Sequence, residues 1–280
     1  MDISLPMNIL VTLDANYLFC LNTMLTSLLY SNPDRTFRVY LMHSSITEAQ
    51  VSETRRILDG RGELILLKAE ESGLEDAPTT ARYPKEIYYR IFAARYLPET
   101  LDRVLYLDPD IIVNGRLDDL YALSMGNYYF AAASHVGEFL SRFNQRRLDM
   151  GDNDPYINSG VMLMNLALLR AEQDENAVFR FMQQHRRSLL LPDQDVISGL
   201  YGSRIYPLDP FRYNMTERLY ARHAPFEKGF DLDWVRSNAV IIHYCGRNKP
   251  WKDNYIGQLG VFYQETQAWM GRQSPPSDEP

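Results

Sequence analysis

Two aspartates one residue apart, Asp108 and Asp110, directly follow the apolar run at residues 104–107. The run does not alternate polar and apolar residues, which is typical of a strand covered on both faces, and ligands of open α/β sheets collect at the carboxyl ends of such strands. Two carboxylates this close repel each other unless they are protonated or bridged by a cation. Mg²⁺ or Mn²⁺ held by a few carboxylates keeps positions open for phosphate oxygens. The pair therefore predicts a metal and diphosphate site, with an Asp-Pro turn whose second carboxylate faces solvent as the alternative.

A second group of polar residues follows the apolar run at 239–242: His243, Gly246 and Lys249. The imidazole can join a metal held by carboxylates, the glycine lets backbone approach a phosphate, and the lysine can neutralise its charge. Taken singly, each has a structural interpretation: a buried histidine, a turn and a solvated lysine. Cys245 lies beside His243, but one Cys and one His without further partners are weak grounds for zinc.

Composition narrows the class of protein. At 280 residues with 45% hydrophobic residues, the chain can bury one large α/β core. Its formal net charge of −7 and pI of about 5.3 give no reason to expect a nucleic-acid partner. The first residues lack a basic segment followed by a long apolar one, which would be typical of a signal peptide. No stretch approaches the ~20 apolar residues that span a bilayer. The two cysteines do not have the spacing of a disulfide framework or a zinc site. We predict a cytoplasmic protein with at most peripheral membrane contact.

Apolar strands alternate with amphipathic helices in the first half of the chain, which predicts an α/β fold with a mostly parallel central sheet and a single Rossmann-like nucleotide-binding domain. The predicted strands are 8–13, 36–42, 63–67, 104–107, 129–133, 158–165 and 239–242. The predicted helices are 17–29, 47–58, 86–96, 117–123 and 167–187. The polar segment 138–154 is predicted as a mobile loop or irregular helical excursion that either closes over substrate or is a solvated connection. We predict one domain over 1–272 and a disordered tail over 273–280.

In combination, five segments resemble the retaining glycosyltransferases of family 8, which include bacterial lipopolysaccharide galactosyl- and glucosyltransferases and glycogenin. These segments are Leu13-Asp14-Ala15-Asn16-Tyr17, Leu105-Tyr106-Leu107-Asp108-Pro109-Asp110, Tyr156-Ile157-Asn158-Ser159-Gly160-Val161, Asp193-Gln194-Asp195, and His243-Tyr244-Cys245-Gly246 with Lys249-Pro250-Trp251. The resemblance implies a GT-A type fold and an enzyme that moves a hexose from UDP-glucose or UDP-galactose to a carbohydrate or glycolipid acceptor. Cell-envelope glycan or lipopolysaccharide-type synthesis is the implied setting, and the configuration at the anomeric carbon is retained.

The resemblance also implies roles for individual residues. The nucleotide is bound by Thr12, Asp14, Asn16, Tyr17, Asp108, Asp110, Gly246 and Lys249, and Mn²⁺ (or Mg²⁺) by Asp108, Asp110 and His243. The donor sugar contacts Arg90, Asn158, Asp193 and Gln194, of which Asp193 and Gln194 are the catalytic candidates. For Tyr17 and Arg90, core packing and a surface ion pair are the respective alternatives. A neutral amide such as Gln194 is a poor nucleophile, which favours same-face attack by the acceptor over a covalent intermediate.

One position departs from the family pattern. Where the bacterial galactosyltransferases carry an Asp on the sugar-facing strand, the matching residue here is His135, which puts galactose specificity in doubt. Acceptor contacts are expected from 138–154 and from 211–230. The rings and donors of the second segment suit a carbohydrate or an interface equally, and they are Tyr213, Arg218, Tyr220, Arg222 and His223.

Three other functions share some of these features. A sugar-nucleotide pyrophosphorylase would be expected to show a Gly-rich loop after the first strand, and none is present. A retaining hydrolase needs two carboxyls about 5 Å apart across a sugar, whereas residues i and i+2 at a strand end crowd on one face. A non-catalytic sugar-nucleotide-binding protein remains an alternative, because a fold carries no guarantee of activity.

Overall fold

The computed structural model of the protein describes residues 5–69 and 86–273. The strands in these residues are β1 Met7–Thr12, β2 Phe37–His43, β3 Gly62–Lys68, β4 Arg103–Leu107, β5 Ile111–Val113, β6 Phe130–Ala133, β7 Val161–Asn165, β8 Ile205–Leu208 and β9 Ile241–His243. The α-helices are α1 Leu18–Ser31, α2 Ser52–Leu58, α3 Glu86–Tyr89, α4 Ala93–Tyr96, α5 Asp118–Tyr121, α6 Glu138–Arg147, α7 Leu166–Glu172, α8 Glu175–Gln184, α9 Pro192–Tyr201, α10 Pro210–Tyr213, α11 Glu217–His223, α12 Leu232–Asn238 and α13 Gly260–Gln273. Short 3₁₀ helices occupy Ala15–Tyr17, Glu48–Val51, Arg90–Phe92 and Gly202–Arg204.

In the part of the chain that the structure describes, seven strands form the central sheet in the order β3-β2-β1-β4-β7-β6-β8. β7 runs antiparallel to both of its neighbours, and every other pair is parallel, so the mostly parallel sheet is confirmed. Because β7 runs against β4, the residues before β7 lie at the same edge of the sheet as the residues after β4. The Asp108 backbone N–H donates to the Gly160 carbonyl there, at 2.8 Å.

A second sheet of two strands, β5 and β9, begins where β4 ends. Asp108, Pro109 and Asp110 link β4 of the large sheet to β5 of the small one. In the antiparallel pairing of β5 with β9, Ile111 lies opposite His243. The link therefore brings the aspartate pair next to the histidine at the end of β9.

The central sheet has an apolar layer on each face. Ile9 and Leu105 pack in the layer that contains α1, whereas Leu10 and Tyr106 pack in the layer that contains α4. A third cluster of buried apolar residues lies under the small sheet and includes side chains of α11, α12 and α13. None of the helices in the described ranges is long and apolar enough to cross a bilayer.

Four predicted elements differ from the structure. Residues 158–160 precede β7 instead of belonging to it, because the Asn158 side chain accepts the Gly160 N–H at 3.2 Å and closes a local turn. The predicted helix 167–187 is two helices, α7 and α8, since Asp174 caps α8 by accepting the Asn176 N–H. The predicted helix 86–96 contains the 3₁₀ segment Arg90–Phe92, and the polar segment 138–154 begins with the regular helix α6. Of the predicted tail, only Gln273 lies within the described residues.

A buried ion pair fixes the first turn of α9. The carboxylate of Asp195, fully buried, accepts two hydrogen bonds from Arg147 of α6, each at 2.7 Å. It also accepts from the Tyr156 hydroxyl at 2.6 Å and from the Leu190 N–H at 2.6 Å. Burial of a carboxylate is tolerated only when its oxygens are satisfied in this way.

We predict that Arg147→Met lowers the free energy of unfolding by about 3–5 kcal/mol, because it leaves the Asp195 charge buried without its cation. The matched control is Arg142→Met on the same helix, where the arginine is 75% exposed and lies 4.0 Å from Glu138. An exposed pair of this kind contributes about 0–1 kcal/mol. Urea unfolding of both variants measures the difference, and equal losses would contradict the role given to the buried pair.

Candidate active site

A cavity of about 940 Å³ lies at the edge of the central sheet where β1 and β4 end. All but one of the residues predicted to bind the nucleotide, the metal or the donor sugar line this cavity, namely Thr12, Asp14, Tyr17, Arg90, Asp108, Asp110, Asn158, Asp193, Gln194, His243, Gly246 and Lys249. The exception is Asn16, whose backbone N–H donates to the Asp14 carboxylate at 2.8 Å and orders the turn that carries its neighbours. Tyr17 is 39% exposed, so the alternative that it is a core residue is wrong.

Asp108, Asp110 and His243 form a group in which each residue offers one ligand atom and all of these atoms lie within 4.8 Å of one another. His243 Nε2 is 3.2 Å from Asp110 Oδ1 and 3.7 Å from Asp108 Oδ2. Among the described residues, Asp110 Oδ1 and His243 Nε2 are buried and make no hydrogen bond. Buried polar atoms without a partner are rare, and these two face each other. Two carboxylates and an imidazole with free donor atoms fit a divalent cation.

Lys249 lies on the other side of Asp110. Its ammonium donates to Asp110 Oδ2 and to the Tyr244 carbonyl, the latter at 2.8 Å. Burial acts to raise the pKa of Asp110, but the adjacent Lys249, together with His243 whenever its ring is protonated, outweighs burial and holds that pKa well below its usual range. Asp110 is therefore ionised at neutral pH, as a metal ligand must be. The alternative in which the second aspartate of the pair faces solvent is wrong.

Arg90 connects the aspartate pair to α9. Its guanidinium lies 3.0 Å from Asp108 and 3.2 Å from Asp193, and its side chain is 7% exposed, which rules out a surface ion pair. It also lies over the ring of Tyr106, with 4.3 Å from the guanidinium carbon to the ring centroid. The Tyr106 hydroxyl donates to Asp108 at 2.7 Å and lies 2.9 Å from the Thr12 hydroxyl.

Asp193 and Gln194 lie in the first turn of α9. Asp193 accepts the Ser159 hydroxyl at 2.8 Å, and burial raises its pKa against the lowering effect of Arg90. The Asn158 amide donates to Gln194 Oε1 at 3.4 Å. The residues predicted for the donor sugar therefore lie together beside Asp108, since Arg90 contacts both Asp108 and Asp193 and Asn158 contacts Gln194.

The sequence model of glycosyl transferase family 8 matches residues 8–255, which is most of the chain. The chain belongs to glycosyl transferase family 8. The family's name describes an enzyme, and the site described above lies wholly within the matched residues.

Two family relatives differ from each other in the sugar that they transfer. The lipopolysaccharide 1,2-glucosyltransferase of Escherichia coli is 26% identical over 244 residues, which cover 86% of this chain and 72% of that protein. The lipopolysaccharide 1,3-galactosyltransferase of Salmonella typhimurium is 26% identical over 254 residues, covering 87% and 72%. Sequence identity with these relatives therefore does not choose between glucose and galactose.

A solved structure shares the fold. The galactosyltransferase LgtC, in complex with donor and acceptor sugar analogues, superposes with a TM-score of 0.81 at 22% identity, covering 97% of this chain and 98% of that one. Together with the seven-stranded, mostly parallel sheet, this likeness confirms the predicted GT-A fold.

The sequence did not identify three residues that shape this family 8 site. Tyr106 belongs to an apolar strand and was interpreted as core, although its hydroxyl reaches Asp108. Asn214 lies in a segment without a recognisable pattern, yet its side chain lies 2.9 Å from His243. Asp195, the residue after Gln194, holds the first turn of α9 in place through its ion pair with Arg147. Each of these residues is polar and buried, which could have marked it as important. The sequence alone does not show which residues are buried, so this mark becomes visible only in the folded structure.

Only some of the residues expected to contact the acceptor line the cavity. Of the five residues named in 211–230, Arg218 lines the cavity, whereas Tyr220 is buried in the apolar cluster under the small sheet. Residues 138–154 line no part of the cavity, because their helix α6 packs through Arg147 behind α9.

Gly160 is required by close packing at the site. A Cβ at this position would lie 2.3 Å from the His243 ring and 2.7 Å from Asp108 Oδ2. We predict that Gly160→Ala weakens Mn²⁺ binding by about 10- to 100-fold, because two ligands must move apart. Electron paramagnetic resonance titration of free Mn²⁺ measures this, with Gly137→Ala as control because its Cβ would meet nothing within 4 Å. Unchanged affinity in Gly160→Ala would show that the three side chains do not bind the ion.

The buried, neutral ring of His135 is expected to make the free energy of unfolding sensitive to acid. Its Nε2 lies 2.7 Å from the Asn214 carbonyl, and burial, with a smaller effect of His243, lowers its pKa to about 4. Since the ordinary value is about 6.5, only the unfolded state gains this proton as the pH falls from about 6.5 towards 4, and stability is lost in that window.

We therefore predict that the wild-type protein loses about 1–2 kcal/mol more unfolding free energy between pH 7.5 and pH 5 than His135→Asn does. Urea unfolding in the presence of a chelator makes the comparison without metal effects. Equal losses in the two proteins would mean that His135 is not held in its neutral form.

Proposed function

We propose that this protein is a metal-dependent, retaining glycosyltransferase that moves a hexose from UDP-glucose or UDP-galactose to the hydroxyl of a carbohydrate or glycolipid. The observation that carries the proposal is the pair of unpartnered ligand atoms, Asp110 Oδ1 and His243 Nε2, beside Asp108 in a cavity large enough for a nucleotide sugar. Mn²⁺ (or Mg²⁺) is the cation that this set of donors suits. Lipopolysaccharide-type or other cell-envelope glycan synthesis in the cytoplasm is the proposed setting, because the relatives above act on lipopolysaccharide.

The nucleotide is assigned to the side of the cavity that begins at β1. Thr12 is the last residue of β1 and Asp14 follows the strand, and the exposed ring of Tyr17 is free to stack on uracil. Asn16 acts through its backbone, by ordering the turn that holds Asp14. Gly246, with φ at +92° and open space around its Cβ position, lets backbone approach the diphosphate.

Departure of UDP requires positive groups around the diphosphate. When bound, the cation supplies Lewis-acid stabilisation of the leaving phosphate. Lys249 is already positioned beside Asp110 and can share its donors with a phosphate oxygen. Arg218 and Arg247 also line the cavity, and neither has a salt bridge to any described residue, so both can bind phosphate or acceptor oxygens.

The geometry supports same-face attack by the acceptor. Gln194 has a neutral amide, which is a poor nucleophile. The neighbouring carboxylate of Asp193 is paired with Arg90 and accepts from Ser159, and both contacts reduce its nucleophilicity. We assign Asp193 and Gln194 to positioning the donor sugar and stabilising positive charge as the glycosidic bond breaks.

The test is UDP release from UDP-glucose, UDP-galactose and UDP-N-acetylglucosamine with Mn²⁺, repeated with chelator and with Asp110→Asn. We expect slow release from one donor, reduced about 100-fold or more by either change, since the Lewis-acid contribution is several kcal/mol. Asp119→Asn is the matched control, because that aspartate is 74% exposed and forms a surface pair with Arg212.

Two other outcomes separate the alternatives. Metal-dependent UDP binding without turnover of any donor, even with candidate acceptors, would favour the non-catalytic sugar-nucleotide-binding protein. Absence of UDP binding would contradict the proposal altogether.

A further inference from the structure

Asn214 connects three residues of the cavity although it does not line the cavity itself. It is fully buried just after α10. Its Oδ1 lies 2.9 Å from His243 Nδ1, its Nδ2 donates to Asn158 Oδ1 at 3.0 Å, and its carbonyl lies 2.7 Å from His135 Nε2. A fully buried amide with both ends bonded holds its neighbours in fixed orientations.

The hydrogen bonds around Asn214 determine which nitrogen of His243 carries the proton. Asn158 Oδ1 accepts the Gly160 N–H, so this atom is the amide oxygen and the group facing it on Asn214 must be the NH₂. Asn214 Oδ1 therefore faces His243, and an oxygen acceptor there requires the proton on Nδ1. When the ring carries this single proton, His243 Nε2 is left with its lone pair directed at Asp110 Oδ1, 3.2 Å away.

The same chain of amides reaches the sugar side of the cavity. With its oxygen turned towards Asn214 and Gly160, Asn158 directs its NH₂ to Gln194 Oε1, at 3.4 Å. One buried side chain thus orients a candidate metal ligand in one direction and a candidate sugar contact in the other.

We propose that Asn214 is a positioning residue that holds His243 in the tautomer able to bind a divalent cation and, through Asn158, sets the orientation of Gln194. The inference rests on the proposed function only for the role of Gln194. A metal-ligating histidine commonly donates its second N–H to an oxygen that fixes its tautomer, and loss of that oxygen weakens metal binding by about 10- to 100-fold.

The first measurement needs no variant and no activity. Long-range ¹H–¹⁵N correlation spectra of the metal-free protein at pH 8 report the tautomer of each histidine. We expect His243 to carry its proton on Nδ1, and a proton on Nε2 would overturn the inference.

Two substitutions then test the roles of the oxygen and the NH₂ group of the Asn214 side chain independently. Asn214→Asp keeps an oxygen towards His243 but loses the NH₂ that faces Asn158, whereas Asn214→Leu has a similar shape and loses both. We expect Mn²⁺ affinity, titrated without nucleotide, to fall about 10- to 100-fold in Asn214→Leu and to stay within about threefold in Asn214→Asp. Asn8→Leu is the control, because that amide bonds to Tyr121 far from the cavity.

The outcomes distinguish positioning from a purely structural role. A folded Asn214→Leu with wild-type Mn²⁺ affinity would overturn the inference, and so would an Asn214→Asp that loses as much affinity as the leucine variant. For donor turnover, we expect kcat to fall in Asn214→Asp despite its retained Mn²⁺ affinity, and an unchanged kcat would refute the link to Gln194. If the wild-type protein turned over no donor, the proposed function would fail, while the tautomer and the Mn²⁺ affinities would still decide this inference.

Discussion

Repulsion between the carboxylates of Asp108 and Asp110 is the constraint around which the site is built. Each carboxylate has its own cation, Arg90 for Asp108 and Lys249 for Asp110, and these cations lie far apart in the sequence. With Asp193 included, three buried or half-buried carboxylates face two permanent cations, which leaves a net charge of −1. That excess suits a divalent cation, and under the proposed function the site with its cation would be positive and could hold a diphosphate.

The topology of the sheet explains how residues so far apart in sequence meet. In a sheet with parallel strands only, the turn before β7 would lie at the opposite edge from Asp108. Because β7 is reversed between β4 and β6, Asn158 and Gly160 lie beside the aspartate pair. The short pairing of β5 with β9 then adds His243 from the other side. Because Gly160 has no side chain, the His243 ring and the Asp108 carboxylate can both lie close to its backbone.

The sequence predicted the parts of this arrangement that are local. Apolar runs predicted seven of the nine strands in the described residues and missed β5 and β8. Carboxylates and a histidine at strand ends indicated the candidate ligands, because strand ends gather at one edge of an α/β sheet. It could not predict the antiparallel direction of β7, which depends on non-local pairing, or the break between α7 and α8, where the cap at Asp174 competes with helix continuation. Asn214 was missed for a related reason: an asparagine after a short helix is an ordinary turn residue until the fold buries it.

Under the proposed function, the choice between glucose and galactose depends on the contacts that the cavity makes with the one hydroxyl that is axial in one sugar and equatorial in the other. His135 lines the cavity and donates through Nε2 to the Asn214 carbonyl, so its neutral ring has one remaining acceptor, Nδ1. A carboxylate at this position would offer two charged acceptors, and charge-assisted hydrogen bonds are roughly twice as strong as neutral ones. An axial and an equatorial hydroxyl differ in direction rather than in chemistry, and a weaker single acceptor discriminates less between them. Under the proposed function, selection between glucose and galactose would therefore depend more on how Asn158, Asp193 and Gln194 hold the rest of the ring than on His135 alone.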